Sequence, residues 1–437
     1  DVYKRQVIVE EAMTAILRRM GKRYTRFEHL DHAVAPPAPD PDCTYMLYLH
    51  VPFCQVLCPF CSFHRVEFRE DKATRYFKAL RREIELCHQA GYRFGEIYVG
   101  GGTPTVIVDE LARTLDTATR LNPIRQISVE TNPDDLLPPR LQPLLAAGVN
   151  RLSVGVQSLE NQLLKEMQRY DKYGSSELVQ ERLNEVNGMF DTLNVDMIFN
   201  LPHQQMDSML RDLEILTEQI RVDQVSCYPL MGSKTTTRAM KKGMGLVTYG
   251  RERRFYQAIL ENIGPGYVPS SAWCFSKSEG AIDEYIIEQD QYLGLGSGAM
   301  SYIDGQLYAS SFSINRYIRL VESGHCGITR RARFNERDQM RYYFLMTFFG
   351  LRVSKSDAEK RWNGRFARGL WREFAAFRAV GAIRDDGDAW RLTERGMYLW
   401  VLMMREFFIA VSDFRDLMRL GIRSELDPED RDQPTAA

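Results

Sequence analysis

Between Tyr48 and Phe63 the chain reads Tyr-Leu-His-Val-Pro-Phe-Cys-Gln-Val-Leu-Cys-Pro-Phe-Cys-Ser-Phe, so Cys54, Cys58 and Cys61 fall in one short loop behind a run of strand-forming residues. Thiolates spaced C-x3-C-x2-C are soft ligands, which select iron-sulfur clusters, zinc or Cu(I). A 4Fe-4S cluster tied by three cysteines keeps one iron without a protein ligand, a position that the amino and carboxylate groups of a cofactor can fill. A structural zinc site completed by His50 or His64 is the competing reading, although zinc ligands ordinarily come as pairs on two separated knuckles. Three unrelated core cysteines fit least, because the segment contains Pro59 and reads as a loop.

Further polar and glycine residues recur where strand-like runs end. After Tyr98-Val99 comes Gly100-Gly101-Gly102-Thr103-Pro104-Thr105, which allows close backbone approach and amides aimed at a cofactor's amino-acid end. Such a loop is often only a turn, but its place after the second candidate strand adds weight. Glu130 stands near the end of the next strand, where a carboxylate suits the two hydroxyls of a ribose; a solvated strand-end charge is the ordinary alternative. Arg169, in Lys165-x-Met167-x-Arg169, offers a guanidinium fork to a carboxylate, and alone it would be a surface charge. Asp196 lies inside the apolar run Val195-Asp196-Met197-Ile198-Phe199 and needs a partner there.

Alternating strands and helices must bring these residues together. Candidate strands are Tyr45 to Val51, Glu96 to Val99, Gln126 to Thr131, Arg151 to Val156, Leu193 to Phe199 and Gln224 to Leu230, in the rhythm of a parallel sheet. Six strands fit an open barrel. The expected fold class is therefore α/β: a partial (β/α)6 barrel with an N-terminal helical arm and a C-terminal winged-helix-like helical domain. In such folds ligands gather at the carboxyl ends of the strands, where the residues above fall. Between strands, Lys72 to Ala90 spaces Tyr76, Leu80, Ile84 and Cys87 along one helical face. Ahead of the core, Val7 to Lys22 has helical spacing, and Ala33 to Pro39 is a proline-rich connector. From Arg331 the pattern is of long helices, with Arg337 to Phe349 aromatic and Lys360 to Val380 amphipathic. Ala382 to Thr393 reads as a hairpin across an Asp-Gly turn, and Met397 to Leu420 as a long packed helix. The expected divisions are arm 1–43, core 44–310, helical domain 311–423 and disordered tail 424–437.

Composition narrows the class. A chain that is 44% hydrophobic and 26% charged is globular, and a net charge of -1 leaves no bulk electrostatic footprint for nucleic acid. No apolar run reaches the roughly 18 residues of a membrane span and no signal-like segment opens the chain, so a cytoplasmic protein is expected. Eight cysteines in 437 residues do not make a disulfide framework, and Cys43, Cys87, Cys227, Cys274 and Cys326 read as core packing. The chain opens at Asp1, and Met13 is a candidate start.

The cysteine spacing and its flanks closely resemble the radical S-adenosylmethionine (SAM) superfamily. Tyr48-x-His50-x-Pro52-Phe53-Cys54 narrows the likeness to the oxygen-independent coproporphyrinogen III oxidase-like family. Gly148 to Leu159, Asn194 to Pro202 and Tyr292 to Ser301 resemble further family elements; no βαβ unit surrounds the last, which excludes a dinucleotide loop. In that superfamily the open iron chelates SAM, an electron enters through the cluster, and the sulfonium splits into methionine and a 5'-deoxyadenosyl radical that abstracts hydrogen. The resemblance implies a 4Fe-4S cluster on Cys54, Cys58 and Cys61. It implies S-adenosyl-L-methionine surrounded by Tyr48, Phe60, Gly101, Gly102, Thr103, Glu130, Gln157, Arg169 and Asp196, with Met231 and Met300 at looser matches. It further implies a radical SAM oxidoreductase, coproporphyrinogen III dehydrogenase-like. Its partners would be a tetrapyrrole-like small-molecule substrate and an electron donor such as flavodoxin or ferredoxin. A monomer with no nucleic-acid or membrane partner is expected.

The departures matter as much. Arg23-Tyr24-Thr25 resembles the arm that precedes the core in the authentic oxidases, but Arg26 and Phe27 then replace the family's Ser-Tyr-Pro. Those oxidases carry a fourth cysteine two residues after the third; here Phe63 stands there, and the related heme-binding chaperones have Phe. The segment Asp283 to Asp290 differs from one that in the oxidases helps hold a second SAM and shapes the substrate pocket. Beside the oxidase there stand two alternatives: a heme-binding chaperone of the same family, and a two-SAM radical methyltransferase or cyclopropanase. The hairpin tip is acidic, which favours a C-terminal module that covers substrate over one that binds DNA.

Overall fold

The computed structural model describes residues 36–278 and 291–422, together with 14, 17–19, 21 and 23–30. The 283–290 segment, the tail from Ser424 and most of the expected 7–22 helix lie outside the described residues.

All six expected strands form: β1 (Tyr45–Val51), β2 (Phe94–Gly101), β3 (Gln126–Thr131), β4 (Arg151–Gln157), β5 (Thr192–Phe199) and β6 (Gln224–Pro229). They pair in parallel in sequence order. Every residue of β1 is buried, as a parallel strand covered on both faces requires. Next to β6 lies β7 (Cys274–Ser276), which pairs with it antiparallel. On the other side β8 (Tyr292–Leu295) adds a seventh parallel strand against β1. It is only 4 residues long and carries a glycine, which is why no strand-length pattern announces it. The sheet then continues antiparallel through β9 (Met300–Ile303), β10 (Gln306–Ser310) and β11 (Ile328–Arg333), so its pairing runs past residue 310. Its outer edges among the described residues are the short strands Glu28–His29 and Val268–Pro269, and the sheet is open. The architecture is α/β, a mostly parallel partial barrel followed by a helical region.

The first crossover helix, Glu70–Gln89, buries Tyr76, Leu80, Ile84 and Cys87 against this sheet on the face that their spacing sets. It also buries Glu83, whose carboxylate accepts from the Gly296 amide (2.9 Å), the Gly327 amide (2.6 Å) and the Tyr317 hydroxyl (2.7 Å). A buried acid is tolerable only with such donors, and these pin the glycine loop after β8 to the helix. In that loop Gly298 has φ +77°, and a Cβ there would lie 2.4 Å from the His64 ring. The glycines thus serve close packing behind the cysteine loop.

Past β11, the helix Glu336–Phe349 leads to a three-stranded sheet of Arg352–Ser354, Ala389–Leu392 and Ile383–Asp386. The last two form the expected hairpin, with Gly387 at φ +67° in its turn. The expected amphipathic stretch Lys360 to Val380 is not one helix. The chain reverses at Asn363 (φ +51°) and Gly364 (φ +74°), and the Glu359 carboxylate accepts from the Phe366 and Ala367 amides at 3.1 and 3.0 Å. Two short helices, Phe366–Gly369 and Trp371–Ala379, result. The C-terminal helix, Glu394–Leu420, starts on Thr393, whose hydroxyl accepts from the Gly396 amide. It lies back across the carboxyl ends of the strands.

Candidate active site at the strand ends

Parallel pairing sets Tyr48 beside Tyr98, Glu130 beside Ser153, and Gly155 beside Asp196, so residues far apart in sequence share one end of the sheet. Above that end lies a cavity lined by Cys54, Cys58 and Cys61, together with Tyr48, Phe60, Gly101, Gly102, Thr103, Glu130, Gln157, Arg169, Asp196 and Met231. Met300, the other residue named from sequence, is not among its lining. It sits on β9, antiparallel to β8, and packs beside Phe312 and Phe414 as ordinary core.

The cysteine loop is tied at its base by Phe53–Cys54 pairing with Val66–Glu67. Arg65 reaches back to donate to the Cys58 and Cys61 carbonyls at 2.5 and 3.0 Å. Burial, with Cys61 and Cys58 adding to it, pushes the Cys54 thiol up to about 12. A thiol so placed resists ionising unless a cationic centre compensates, which is what iron provides. Donors already face two of the sulfurs: Thr103 Oγ1 lies 3.7 Å from Cys54 Sγ, and Arg169 Nη1 lies 3.6 Å from Cys58 Sγ. Hydrogen bonds to sulfur of this kind tune iron-sulfur clusters.

Neither histidine of the zinc alternative lines the cavity that the three cysteines share. His50 Nε2 faces the His64 carbonyl at 2.9 Å and Nδ1 faces the Tyr48 hydroxyl at 2.8 Å. A carbonyl only accepts, so Nε2 carries the proton and Tyr48 donates to Nδ1. Burial lowers His50 to about 4, which keeps it neutral. His64 Nε2 lies 3.3 Å from Ser297 Oγ, and its Nδ1 is buried without a partner among the described residues. Among the described residues no three His, Cys, Asp or Glu side chains are gathered for a single metal ion.

The glycine loop differs from its expected role. The Gly101 amide donates to Glu130 Oε2 (3.1 Å), the Gly102 amide to the Val51 carbonyl (2.7 Å) and the Thr103 amide to the Phe53 carbonyl (2.7 Å). These amides are committed within the protein and cannot receive a ligand. The glycines are needed instead for closeness: at Gly101, φ +117°, a Cβ would lie 2.6 Å from the His50 ring, and at Gly102 one would lie 2.6 Å from the Phe53 carbonyl oxygen.

Glu130 also accepts from the Tyr98 hydroxyl at 2.9 Å, so each carboxylate oxygen keeps a lone pair for a ligand. Burial raises its pKa. Gln157 takes φ +76° where the pairing of β4 with β5 skips Val156, a bulge that redirects the side chain at the cavity. Arg169 is buried over the Tyr173 ring at 4.2 Å and donates to Asn132 Oδ1 (3.1 Å) and the Gly155 carbonyl. Its Nε is buried without a partner among the described residues, an opening for one more acceptor. Asp196 accepts from Ser153 (2.9 Å) and Asn194 (2.8 Å), answering the need for partners that its apolar strand created. Three thiols, a carboxylate pair and a guanidinium with an unsatisfied Nε around one cavity fit a 4Fe-4S cluster with an amino-acid nucleoside beside it.

Several lining residues carried no signal in the sequence. Tyr228, Trp273, Phe408, Ser412 and Arg415 belong to segments that look like core or surface until the C-terminal helix is folded over the barrel mouth.

A family model for the radical SAM superfamily matches residues 48–216. The heme chaperone HemW of Bacillus subtilis (strain 168) is 27% identical over 369 residues, covering 80% of this chain and 96% of that protein. Anaerobilin synthase of Escherichia coli O157:H7 is 27% identical over 369 residues, covering 81% of each. Oxygen-independent coproporphyrinogen III oxidase of Escherichia coli (strain K12) is 28% identical over 357 residues, covering 75% of this chain and 76% of that protein. A solved structure of the Escherichia coli oxidase, a radical SAM enzyme, matches the fold with a TM-score of 0.71 at 22% identity, covering 84% of this chain and 91% of that one. The chain thus carries a radical SAM domain, with a 4Fe-4S cluster and SAM as its cofactors, and is a relative of the oxygen-independent coproporphyrinogen III oxidase-like proteins.

Proposed function

We propose that the chain is a radical SAM enzyme acting on a tetrapyrrole-like substrate. In this reading Cys54, Cys58 and Cys61 hold the cluster, and Tyr48, Phe60, Gly101, Gly102, Thr103, Glu130, Gln157, Arg169, Asp196 and Met231 surround SAM. The observation that carries it is the convergence of the three thiols with the Glu130, Arg169 and Asp196 side chains on one cavity. When bound, the cofactors supply a 5'-deoxyadenosyl radical able to take a hydrogen atom. The chain's own residues orient and exclude: Glu130 accepts from ribose hydroxyls, the Arg169 Nε–H donates to a carboxylate, and the C-terminal helix keeps water from the mouth. An electron donor such as flavodoxin or ferredoxin would reduce the cluster, and the C-terminal helical region covers the strand ends. The substrate class is supported by the heme and coproporphyrinogen named in the relatives' descriptions.

Phe63 and the likeness to HemW favour a second reading, a heme-binding chaperone. One anaerobic incubation with coproporphyrinogen III, heme and labelled SAM, read by mass spectrometry, separates them. The enzyme is expected to release 5'-deoxyadenosine together with decarboxylated or labelled tetrapyrrole, whereas heme bound without SAM turnover would replace it with the chaperone. Cys58→Ala is expected to abolish turnover and to lose the roughly four irons and four sulfides per chain that reconstitution gives. Full iron content in that variant would refute the ligand assignment.

A further inference from the structure

Thr103 faces the Cys54 sulfur and Arg169 the Cys58 sulfur, and one side chain stands between these two donors. Asn132 follows the last residue of β3 and precedes Pro133, whose ring keeps the residue before it extended; Asn132 accordingly has φ -121° and ψ 162°. An asparagine at the start of a helical turn ordinarily spends its side chain on the amides of that turn. Here it makes no such bond. It lines the cavity instead, with Nδ2 2.9 Å from Thr103 Oγ1 and Oδ1 3.1 Å from Arg169 Nη2. Chemistry fixes the direction of each bond. A guanidinium only donates, so the amide oxygen must face Arg169 and the NH2 must face Thr103. Thr103 Oγ1 therefore accepts from Asn132, and its single proton is kept for Cys54 Sγ at 3.7 Å. On the other side Asn132 Oδ1 and the Gly155 carbonyl both take Nη2 of Arg169, while the Tyr173 ring lies against the guanidinium, 4.2 Å from its centre. Nη1 is thereby held on Cys58 Sγ at 3.6 Å.

We infer that Asn132 is a positioning residue for the cluster: by donating to Thr103 and accepting from Arg169 it aims one O–H and one N–H at two ligating sulfurs, and so raises the cluster's reduction potential. This rests on the assignment of Cys54, Cys58 and Cys61 as cluster ligands. A reduced cluster carries one more negative charge than an oxidised one, and that charge is shared with the sulfurs. Donors on those sulfurs therefore stabilise the reduced form more, and electron entry becomes easier. Neither donor needs Asn132 in order to exist. What Asn132 decides is where they point: without its NH2 the Thr103 proton is no longer reserved for Cys54, and without its carbonyl Arg169 loses one of the two acceptors that hold Nη2 away from the sulfur.

The test uses the full chain, reconstituted anaerobically and free of SAM, in a redox titration with dithionite that reads the reduced cluster by electron paramagnetic resonance. In Asn132→Ala with its iron retained, the ratio of reduced to oxidised cluster at a fixed potential is expected to fall about tenfold, ~59 mV for a one-electron couple. In a Thr103→Val background the same substitution is expected to lower it only about threefold, because the Thr103 arm is already gone. If Asn132→Ala does not keep its iron, Asn132→Asp, which has the same shape, carries the comparison. Its carboxylate accepts the Thr103 proton that otherwise serves Cys54, so the potential again falls, and by less in the Thr103→Val background. An unchanged or raised potential in an iron-replete variant overturns the inference and leaves the cluster assignment intact. An equal fall in both backgrounds overturns it as well, since Asn132 would then act without Thr103. A wild-type chain that takes up no iron overturns the assignment and the inference together.

Discussion

Ser153 and Asn194 both donate to Asp196, yet burial, with the nearby Glu130 adding to it, pushes its carboxyl up to about 7. An acid raised in the folded state binds more protons there than in the unfolded chain, where its pKa is about 4. Its contribution to stability is therefore full below about 4 and is lost as the pH rises through about 7. Asp196→Asn keeps the shape and removes the titration. Its melting temperature in the SAM-free protein is expected to gain on the wild type between pH 5 and 8, by on the order of a few degrees, and to level above that. A constant offset across this range would show that Asp196 is already ionised. The sequence made Asp196 conspicuous, as an acid among apolar strand residues, but its partner Ser153 was illegible because it depends on the register of β4 against β5. The same limit explains the glycine loop: that glycines were required could be read, whereas the commitment of the Gly101, Gly102 and Thr103 amides to Glu130, Val51 and Phe53 could not.

Elements were legible to the degree that their own periodicity defined them. The helix Glu70–Gln89 and the six parallel strands are long and regular, and they appear where the pattern put them. β8 is too short to have a pattern, and the reversal at Asn363 interrupts a stretch whose apolar spacing alone reads as continuous. The C-terminal helix was visible from its apolar residues, but what fixes its position was not. Arg405 pairs with Glu252 and, at 2.8 Å, with Glu406, which also takes Arg18 at 2.7 Å. The Arg405 and both acidic side chains are almost wholly buried. Arg405→Ala would leave the buried Glu252 without its cation and Glu406 with only the half-exposed Arg18, so a loss of about 3 kcal/mol is expected by denaturant unfolding. Arg405→Met in a background of Glu252→Leu and Glu406→Leu should recover most of it, since no charge is then left behind. A single-variant loss below about 1 kcal/mol would mean that the pair is hydrated and that packing alone seats the helix.

At the scale of the whole molecule, residues 23–30 close on the C-terminal half. The strand Glu28–His29 extends the sheet beside β11, while Arg23 pairs with Asp338 at 2.7 Å and the Tyr24 hydroxyl donates to the same carboxylate at 3.2 Å. Phe27 stacks on Phe414 of the C-terminal helix with ring centres 4.3 Å apart, one residue from Arg415. The arm thus braces the helix that covers the cavity. Among the described residues no helix is long and apolar enough to cross a membrane. Because Phe27 is only half-buried, Phe27→Ala should cost about 1–2 kcal/mol. Its larger effect is expected to be local. Limited trypsin digestion should cut after Arg23 and Arg26 several-fold faster in the variant, while the barrel core stays resistant, because removing the stack raises the population of the undocked arm. Unchanged cleavage at these two sites would show that the Asp338 contacts and the edge strand hold the arm without the stack. Faster cleavage throughout the chain would instead mean that the substitution acts on global stability.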